Sequence, residues 1–129
     1  RKLGANAFLL IASILTKDQI NNFMTIGKKY NMDALVEVHT AEELQKVLAT
    51  KAEIIGINNR NLDSLKTNTN TTLKLSSKIP KQKVIVAESG YHKSSEIQKL
   101  PKNINAVLIG TSLLKQKDIN KKINELFGK

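Results

Sequence analysis

Short apolar runs, each followed by a polar segment with helical spacing, recur along the chain. The runs are roughly four to six residues long, which is too short for a helix and typical of a strand buried on both faces. The segments between them place apolar residues three and four positions apart, as an amphipathic helix does. This alternation predicts an α/β fold with a parallel sheet of right-handed βαβ units. The predicted strands are 7–12, 34–39, 83–88 and 106–109, and residues 54–60 are predicted to form the third strand and its exit loop.

Capping signals mark where the predicted helices begin. Two segments, Thr16 to Gln19 and Thr40 to Glu43, match a capping box, in which two residues three apart each bond the other's main-chain amide. Ser94 is the predicted N-cap of a short helix that continues to Leu100 and is stopped by Pro101. The other predicted helices are 68–77, which has little apolar surface to bury, and a terminal helix striped by Ile119, Ile123, Leu126 and Phe127.

The first six residues read as the last turn of a helix followed by a glycine stop. We therefore expect the chain to begin inside a larger protein. Its 129 residues, 40% of them apolar, can build one domain of ordinary size. They cannot build a closed eight-stranded α/β barrel, which typically needs about 250 residues.

Composition excludes several classes of function. Without cysteine the chain has no disulfides and no thiolate metal sites. No apolar run approaches the roughly 18 residues of a membrane span, so a cytoplasmic protein without membrane contact is expected. The net charge of +10 is spread over scattered lysines, with two Arg and five aromatic residues in the chain. Nucleic-acid binding is not expected, because such proteins cluster basic residues and interleave aromatic ones.

Polar groups follow four of the predicted strands. They are Glu37 with His39, Asn58 with Arg60, Glu88 with Ser89-Gly90, and Gly110-Thr111-Ser112. The carboxyl ends of parallel strands meet at one edge of a sheet, where α/β folds place their chemistry. A partly buried carboxylate there would have a pKa raised toward the range useful for proton transfer. Either Glu alone could equally be a solvated carboxylate at a strand end.

Glycines at the ends of the last two strands suggest an anion site. Small residues allow main-chain amides to approach an anion closely, and barrels frequently bind phosphate at their last two loops. Glycine after a strand is usually only a turn, so each pattern is weak by itself. As neighbours, Ser89-Gly90 and Gly110-Thr111-Ser112 predict a phosphate cradle.

Four segments carry the most specific pattern in the chain, and Gly56 to Leu62 is the most specific of them. The segments are Leu35-Val36-Glu37-Val38-His39, Gly56-Ile57-Asn58-Asn59-Arg60-Asn61-Leu62, Ala87-Glu88-Ser89-Gly90 and Val107-Leu108-Ile109-Gly110-Thr111-Ser112-Leu113. In order and spacing they resemble the C-terminal part of indole-3-glycerol phosphate synthase, along essentially the whole chain.

The resemblance implies a fold and a reaction. The fold is a TIM (β/α)8 barrel, of which residues 1–129 would be the C-terminal portion of a single domain, with about strands 4 to 8 present and strands 1 to 3 absent. The reaction is a step of tryptophan biosynthesis performed by a carboxy-lyase without a metal or organic cofactor. It converts 1-(2-carboxyphenylamino)-1-deoxyribulose 5-phosphate to indole-3-glycerol phosphate, with loss of carbon dioxide and water.

The resemblance also implies roles for single residues. Glu37 would transfer protons, Asn58 would hydrogen-bond the reacting substrate, and Glu88 would orient the substrate. Arg60 would hold substrate anions with its fixed fork of donors. The remaining implied contacts are substrate binding by Ser89 and a phosphate cradle that includes Gly90, Gly110 and Thr111. No catalytic role is expected for His39, and His92 is expected in a surface loop.

The family's first three strands carry catalytic lysines that no segment of this sequence matches. We therefore expect the isolated chain to be inactive, and its exposed sheet edges to cause self-association. The expected partners are a small phosphorylated substrate and, by fusion or association, other tryptophan-pathway enzymes. Two alternatives stay open: another phosphate-binding barrel, such as phosphoribosylanthranilate isomerase or the tryptophan synthase α subunit, and a non-catalytic remnant that binds phosphorylated ligands or a partner chain.

Overall fold

A computed structural model describes residues 1–62 and 64–128, which contain a five-stranded parallel sheet whose strand order follows the sequence. The strands are β1 (Ala7–Ile11), β2 (Asp33–Val38), β3 (Ile54–Asn58), β4 (Val84–Glu88) and β5 (Ala106–Leu108). The helices are α1 (Lys17–Lys29), α2 (Ala41–Leu48), α3 (Asn70–Ser76), α4 (Ser94–Gln98), α5 (Thr111–Leu114) and α6 (Ile119–Phe127), with a 3-10 turn at Ala12–Ile14. All five predicted strands and the parallel α/β architecture are confirmed.

Two short elements and several boundaries differ from the predictions. Neither the 3-10 turn after β1 nor α5 was predicted. Strand β3 ends at Asn58 and the predicted exit loop follows, because the Asn58 Oδ1 atom accepts a hydrogen bond from the Arg60 main-chain N–H at 2.9 Å and turns the chain out of the sheet. Helix α3 is confirmed despite its polar composition.

The predicted helix caps are only partly confirmed. The Thr16 to Gln19 capping box forms in both directions, at 3.2 and 2.8 Å. In the second predicted box the Thr40 hydroxyl accepts from the Glu43 N–H, but the Glu43 carboxylate accepts from the His39 N–H instead.

The N-cap prediction at Ser94 is wrong by one residue. Lys93 is the N-cap of α4, and the Glu96 carboxylate accepts from the Lys93 N–H. The helix also ends at Gln98, before the predicted Leu100. A carboxylate reaching back from the first turn therefore caps this helix in place of a serine hydroxyl.

The two faces of the sheet have different surroundings. On the helix-covered face, side chains such as Val36, Val38, Ile55 and Ile57 are fully buried under the helices. The opposite face, which we call the open face, carries Leu9, Leu35, Gly56, Glu88 and their neighbours of the same register. Its apolar residues remain accessible: Leu9 is 49% exposed, Val84 41% and Leu108 48%. The hydrophobic core therefore lies on one side of the sheet.

The longest helix in the described ranges, α1, has 13 residues, and none of the described helices could span a bilayer.

Candidate active site

Two carboxyl groups meet on the open face across strand β3. Glu37, near the end of β2, pairs in register with Gly56, and Glu88, the last residue of β4, pairs with Asn58. Both glutamates are buried, at 5% and 3% exposure. Gly56 makes this approach possible, because a Cβ atom there would lie 2.0 Å from the Glu88 Oε1 atom.

This environment changes the charge of Glu88. Burial is the main cause that raises the pKa of Glu88 to about 8, and hydrogen bonding with Glu37 and the charge of Glu37 add to it. Glu88 therefore holds a proton at neutral pH. A neutral carboxylic acid beside a second carboxyl group can supply both a proton donor and a proton acceptor.

The other side of Glu37 faces His39, whose side chain is only 11% exposed. The His39 Nε2 atom lies 3.4 Å from the Glu37 Oε1 atom, and the Nδ1 atom lies 3.3 Å from the Glu43 Oε2 atom. Among the described residues, the His39 Nε2 and Glu88 Oε1 atoms are the buried side-chain polar atoms that lack a hydrogen-bond partner. Sequence reasoning expected no catalytic role for His39, although the spacing of Glu37 and His39 puts both on one face of the strand.

Asn58 lies on the same face as Glu88 and is 9% exposed. The predicted catalytic residues Glu37, Asn58 and Glu88 are thus brought together at the carboxyl ends of three adjacent strands. Their placement agrees with the sequence expectation, and their chemical roles remain predictions.

Asn59 holds the loop that follows β4, a function that sequence reasoning missed. Its Nδ2 atom donates to the Ser89 carbonyl at 3.0 Å and to the Tyr91 hydroxyl at 2.9 Å. Its Oδ1 atom accepts from the Thr72 main-chain N–H and from the Thr72 hydroxyl. Since Asn59 is only 3% exposed, these bonds satisfy an otherwise costly buried amide.

The loop held by Asn59 has an unusual backbone. Ser89 and Gly90 both have positive φ, at 64° and 84°. Two successive left-handed residues turn the chain sharply after Glu88, and non-glycine residues such as Ser89 rarely adopt this conformation. The buried bonds of Asn59 stabilise this turn.

All five predicted substrate-binding and phosphate-binding residues surround one depression of about 330 Å³, and they are Arg60, Ser89, Gly90, Gly110 and Thr111. His92 also lines it, as an exposed loop residue whose Nδ1 atom lies 2.6 Å from the Ser112 hydroxyl. A Cβ atom on Gly110 would meet no atom within 4 Å, so this glycine leaves open space. In the part of the chain that the structure describes, no three acidic or His side chains are placed so that they could hold a metal ion.

Comparison with known proteins identifies the family. The family profile described as indole-3-glycerol phosphate synthase matches residues 1–126. An indole-3-glycerol phosphate synthase of Alkaliphilus metalliredigens is 47% identical over 128 residues, which cover 98% of this chain and 49% of that protein. The corresponding protein of Petrotoga mobilis is 45% identical, over 97% of this chain and 52% of its own length. The chain thus spans about half the length of these relatives.

Solved structures agree on the fold. A 3-hexulose-6-phosphate synthase superposes with a TM-score of 0.78 at 19% identity, covering 98% of this chain and 63% of that chain. A DHODH from Eimeria tenella, solved in complex with ferulenol, superposes with a TM-score of 0.64 at 12% identity, over 96% of this chain and 48% of its own. At these identities the likeness concerns the fold alone. The family match over residues 1–126 and the agreement in fold together show that this α/β chain belongs to the indole-3-glycerol phosphate synthase family of TIM barrels.

Proposed function

We propose that this chain supplies the C-terminal portion, about strands four to eight, of an indole-3-glycerol phosphate synthase barrel. The single observation that carries the proposal is the buried Glu37 and Glu88 pair at the carboxyl ends of β2 and β4. The neighbouring depression around Arg60, Ser89 and Gly90 supports it, because the proposed substrate carries a phosphate beside its reacting centre. The proposed reaction is ring closure with decarboxylation and dehydration, in the cytoplasm and without a cofactor.

The residues divide the work as follows. Glu37 accepts and returns a proton during ring closure and dehydration, while Glu88, whose proton is shared with Glu37, orients a substrate hydroxyl by accepting a hydrogen bond on its unpartnered Oε1 atom. Asn58 lies beside Glu88 and hydrogen-bonds the reacting substrate. Arg60 and Ser89, which line the depression, bind anionic groups of the substrate.

The phosphate lies between the two loops that follow β4 and β5. Gly90, Gly110 and Thr111 all line the depression, and in this proposal the two glycine main-chain amides and the Thr111 hydroxyl bind the phosphate. The absence of a side chain at Gly110 leaves room for a bulky anion.

A chimera tests the function. The chain is joined behind the preceding half of the Alkaliphilus metalliredigens relative and produced in a bacterium that lacks its own indole-3-glycerol phosphate synthase. We expect growth without tryptophan and, with purified chimera, formation of indole-3-glycerol phosphate. Glu37→Gln should lower kcat about 10²- to 10⁴-fold, the usual contribution of a general acid or base.

Glu53→Gln is the matched control, because Glu53 is an exposed carboxylate paired with Lys28. It should leave kcat unchanged. A chimera that is folded by circular dichroism but forms no product, or that retains its kcat after Glu37→Gln, would contradict the proposal.

The isolated chain is expected to be inactive, since it contains no counterpart of the family's catalytic lysines. The measurement is product formation by the chain alone at high protein concentration. Turnover that disappears in Glu37→Gln would show that the chain needs no further strands.

A second candidate function is a non-catalytic module that binds phosphorylated ligands. The depression favours it, because residues 60, 89–92 and 108–112 build that cavity within this chain. Calorimetry with indole-3-glycerol phosphate separates the two: the module should bind with equal affinity in the isolated chain and in the chimera. Preference of the chimera for another phosphorylated ligand would favour a different phosphate-binding barrel.

We also propose that the protein is associated with other activities of tryptophan biosynthesis. The relative named "Tryptophan biosynthesis protein TrpCF" in Helicobacter pylori is 41% identical over 94% of this chain, which covers 27% of that longer protein. Sequencing of the adjoining reading frame tests for a fusion.

A further inference from the structure

The imidazole of His39 lies between two carboxyl groups in a buried position. Its Nδ1 atom faces the Glu43 Oε2 atom at 3.3 Å, and its Nε2 atom faces the Glu37 Oε1 atom at 3.4 Å. The side chains of the three residues are between 7% and 15% exposed. Water is therefore largely kept away from both contacts, which strengthens their electrostatic effect.

Glu43 determines which ring nitrogen of His39 carries a proton. The Glu43 Oε2 atom already accepts a hydrogen bond from the His39 main-chain N–H at 2.7 Å. A carboxylate that accepts this bond also accepts from the ring, so Nδ1 must be the donor of the 3.3 Å contact. In a neutral ring the Nε2 atom would then be unprotonated, and its lone pair would face the Glu37 Oε1 atom.

One proton must therefore lie between His39 Nε2 and Glu37. It could reside on the carboxyl of Glu37 or on the ring. Glu88, which holds its own proton, fits either arrangement, because it needs only one acceptor oxygen on Glu37. The groups on the two sides of the ring decide for the imidazolium: imidazole is a stronger base than a carboxylate, and the Glu43 carboxylate next to Nδ1 stabilises a positive ring. An ionised Glu37 then accepts a hydrogen bond from both His39 and Glu88.

We propose that His39 is a positioning residue which, as an imidazolium held by Glu43, keeps Glu37 the ionised member of the Glu37 and Glu88 pair. The chain of groups is then a carboxylate, an imidazolium, a carboxylate and a carboxylic acid. His39 does not touch the substrate in this arrangement. Its use for catalysis rests on the proposed function, because it leaves Glu37 ready to accept a proton.

Other charged groups near His39 act in the opposite sense. Lys74, on α3, and Lys78 line a depression of about 250 Å³ together with His39, and their ammonium groups disfavour a second positive charge there. Glu37 and Glu43 are closer, at 3.4 and 3.3 Å, and Glu88 adds no negative charge while it is protonated. The two carboxylates therefore dominate the field at the ring.

Nuclear magnetic resonance tests the proton positions without any assay of activity. In the protein at pH 7, the ¹⁵N shifts of His39 should show both ring nitrogens protonated, and the carboxyl ¹³C shifts should show Glu37 ionised and Glu88 neutral. In His39→Asn, whose amide can still reach Glu43, a fraction of the Glu37 carboxyl should become protonated. His39→Gln, which can direct an uncharged N–H toward Glu37, should give a smaller change.

A neutral His39 ring at pH 7, or unchanged Glu37 and Glu88 shifts in His39→Asn, would overturn the proposal. Loss of fold is checked by the amide spectrum, and Glu43→Gln gives a second test if His39→Asn unfolds. Glu43→Gln should shift the Glu37 carboxyl signal in the same direction.

The chimera described above supplies a kinetic readout. His39→Asn should lower kcat about 10- to 100-fold, less than loss of Glu37 itself, and leave KM within about twofold. The loss should depend on pH, because it arises from a change in which of the buried groups holds a proton. A loss that is independent of pH would contradict the proposal, whereas an inactive unmodified chimera would contradict the proposed function and leave the magnetic resonance result standing.

Discussion

The two faces of the sheet are built from alternate residues of the same strands, but one face forms the hydrophobic core and the other carries the carboxyl pair. Ile57 on the helix-covered face is fully buried, and its neighbours Gly56 and Asn58 point to the open face. The open face is apolar near the amino ends of its strands, where Leu9 and Val84 lie, and carries the carboxyl pair near the carboxyl ends.

This difference shows that adjacent residues of one strand contribute differently. One residue packs in the hydrophobic core, and the next lies on the face that carries the candidate site. A substitution on the covered face acts on the core, which is packed on all sides. A substitution on the open face meets fewer neighbours unless it lies at the carboxyl pair. The separation can be tested by matched substitutions on the two faces.

The largest expected effect is on the covered face. Ile57→Ala should lower the free energy of unfolding by about 2 to 5 kcal/mol, because it leaves a cavity in a closed core. Leu108→Ala, on the open face, should cost about 1 kcal/mol or less, since Leu108 is 48% exposed. Urea denaturation measures both, and equal losses would mean that the open face is covered in solution.

The next effect is at Gly56, where the open face is tightly packed around the carboxyl pair. Gly56→Ala should lower the free energy of unfolding by about 1 to 3 kcal/mol, because the new Cβ atom would displace the Glu88 carboxyl. Gly110→Ala is the matched control, since its Cβ would meet open space, and its stability should change little. An unchanged melting temperature in Gly56→Ala would show that Glu88 moves aside without cost.

A smaller effect concerns pH. The native state raises the pKa of Glu88 from 4.5 to about 8, so between these values it retains a proton that the unfolded chain releases. Stability from this group is therefore full below about pH 4.5 and is lost as pH rises toward 8. Glu88→Gln should make the decline of stability shallower across this window, as measured by urea denaturation at several pH values. The same slope in both proteins would refute the assignment of the proton to Glu88.

The smallest effect on stability is expected from polar substitutions on the open face. Combining Leu9→Gln, Val84→Thr and Leu108→Gln should change the free energy of unfolding by roughly 0.5 kcal/mol per site or less, because all three residues are more than 40% exposed. The triple variant should associate less in sedimentation velocity than the unmodified chain. If the unmodified chain is already a monomer at high concentration, the predicted self-association is wrong.

Local pattern was sufficient to predict most of the fold. The apolar runs located all five strands, although the structure buries these strands on one face of the sheet rather than on both. Helix α3 shows where pattern is insufficient: Thr72 is fully buried through its bonds to Asn59, so tertiary hydrogen bonds replace the apolar contacts that the segment lacks. The spacing of apolar residues along the sequence does not predict a hydrogen bond of this kind.

The sequence was sufficient to predict which residues form the candidate site, but not which hydrogen bonds join them. Residues at strand ends could be expected to meet, and Glu37, Asn58 and Glu88 do. The choice of Glu43 to bond the His39 N–H rather than the Thr40 N–H depends on a side-chain conformation that the capping-box pattern does not specify. The contact of the same Glu43 carboxylate with the His39 ring accompanies that choice and was not predictable from the sequence.

The order of the strands in the sheet, which repeats their order in the sequence, has a consequence for synthesis on the ribosome. Each strand pairs with the strand made just before it, so a nascent chain always offers a finished edge to the next strand to emerge. Every pairing spans one helix and its loops, which keeps the loop to be closed short. We therefore expect the sheet to assemble stepwise from β1 to β5 during translation, with the carboxyl pair formed only when β4 has left the ribosome.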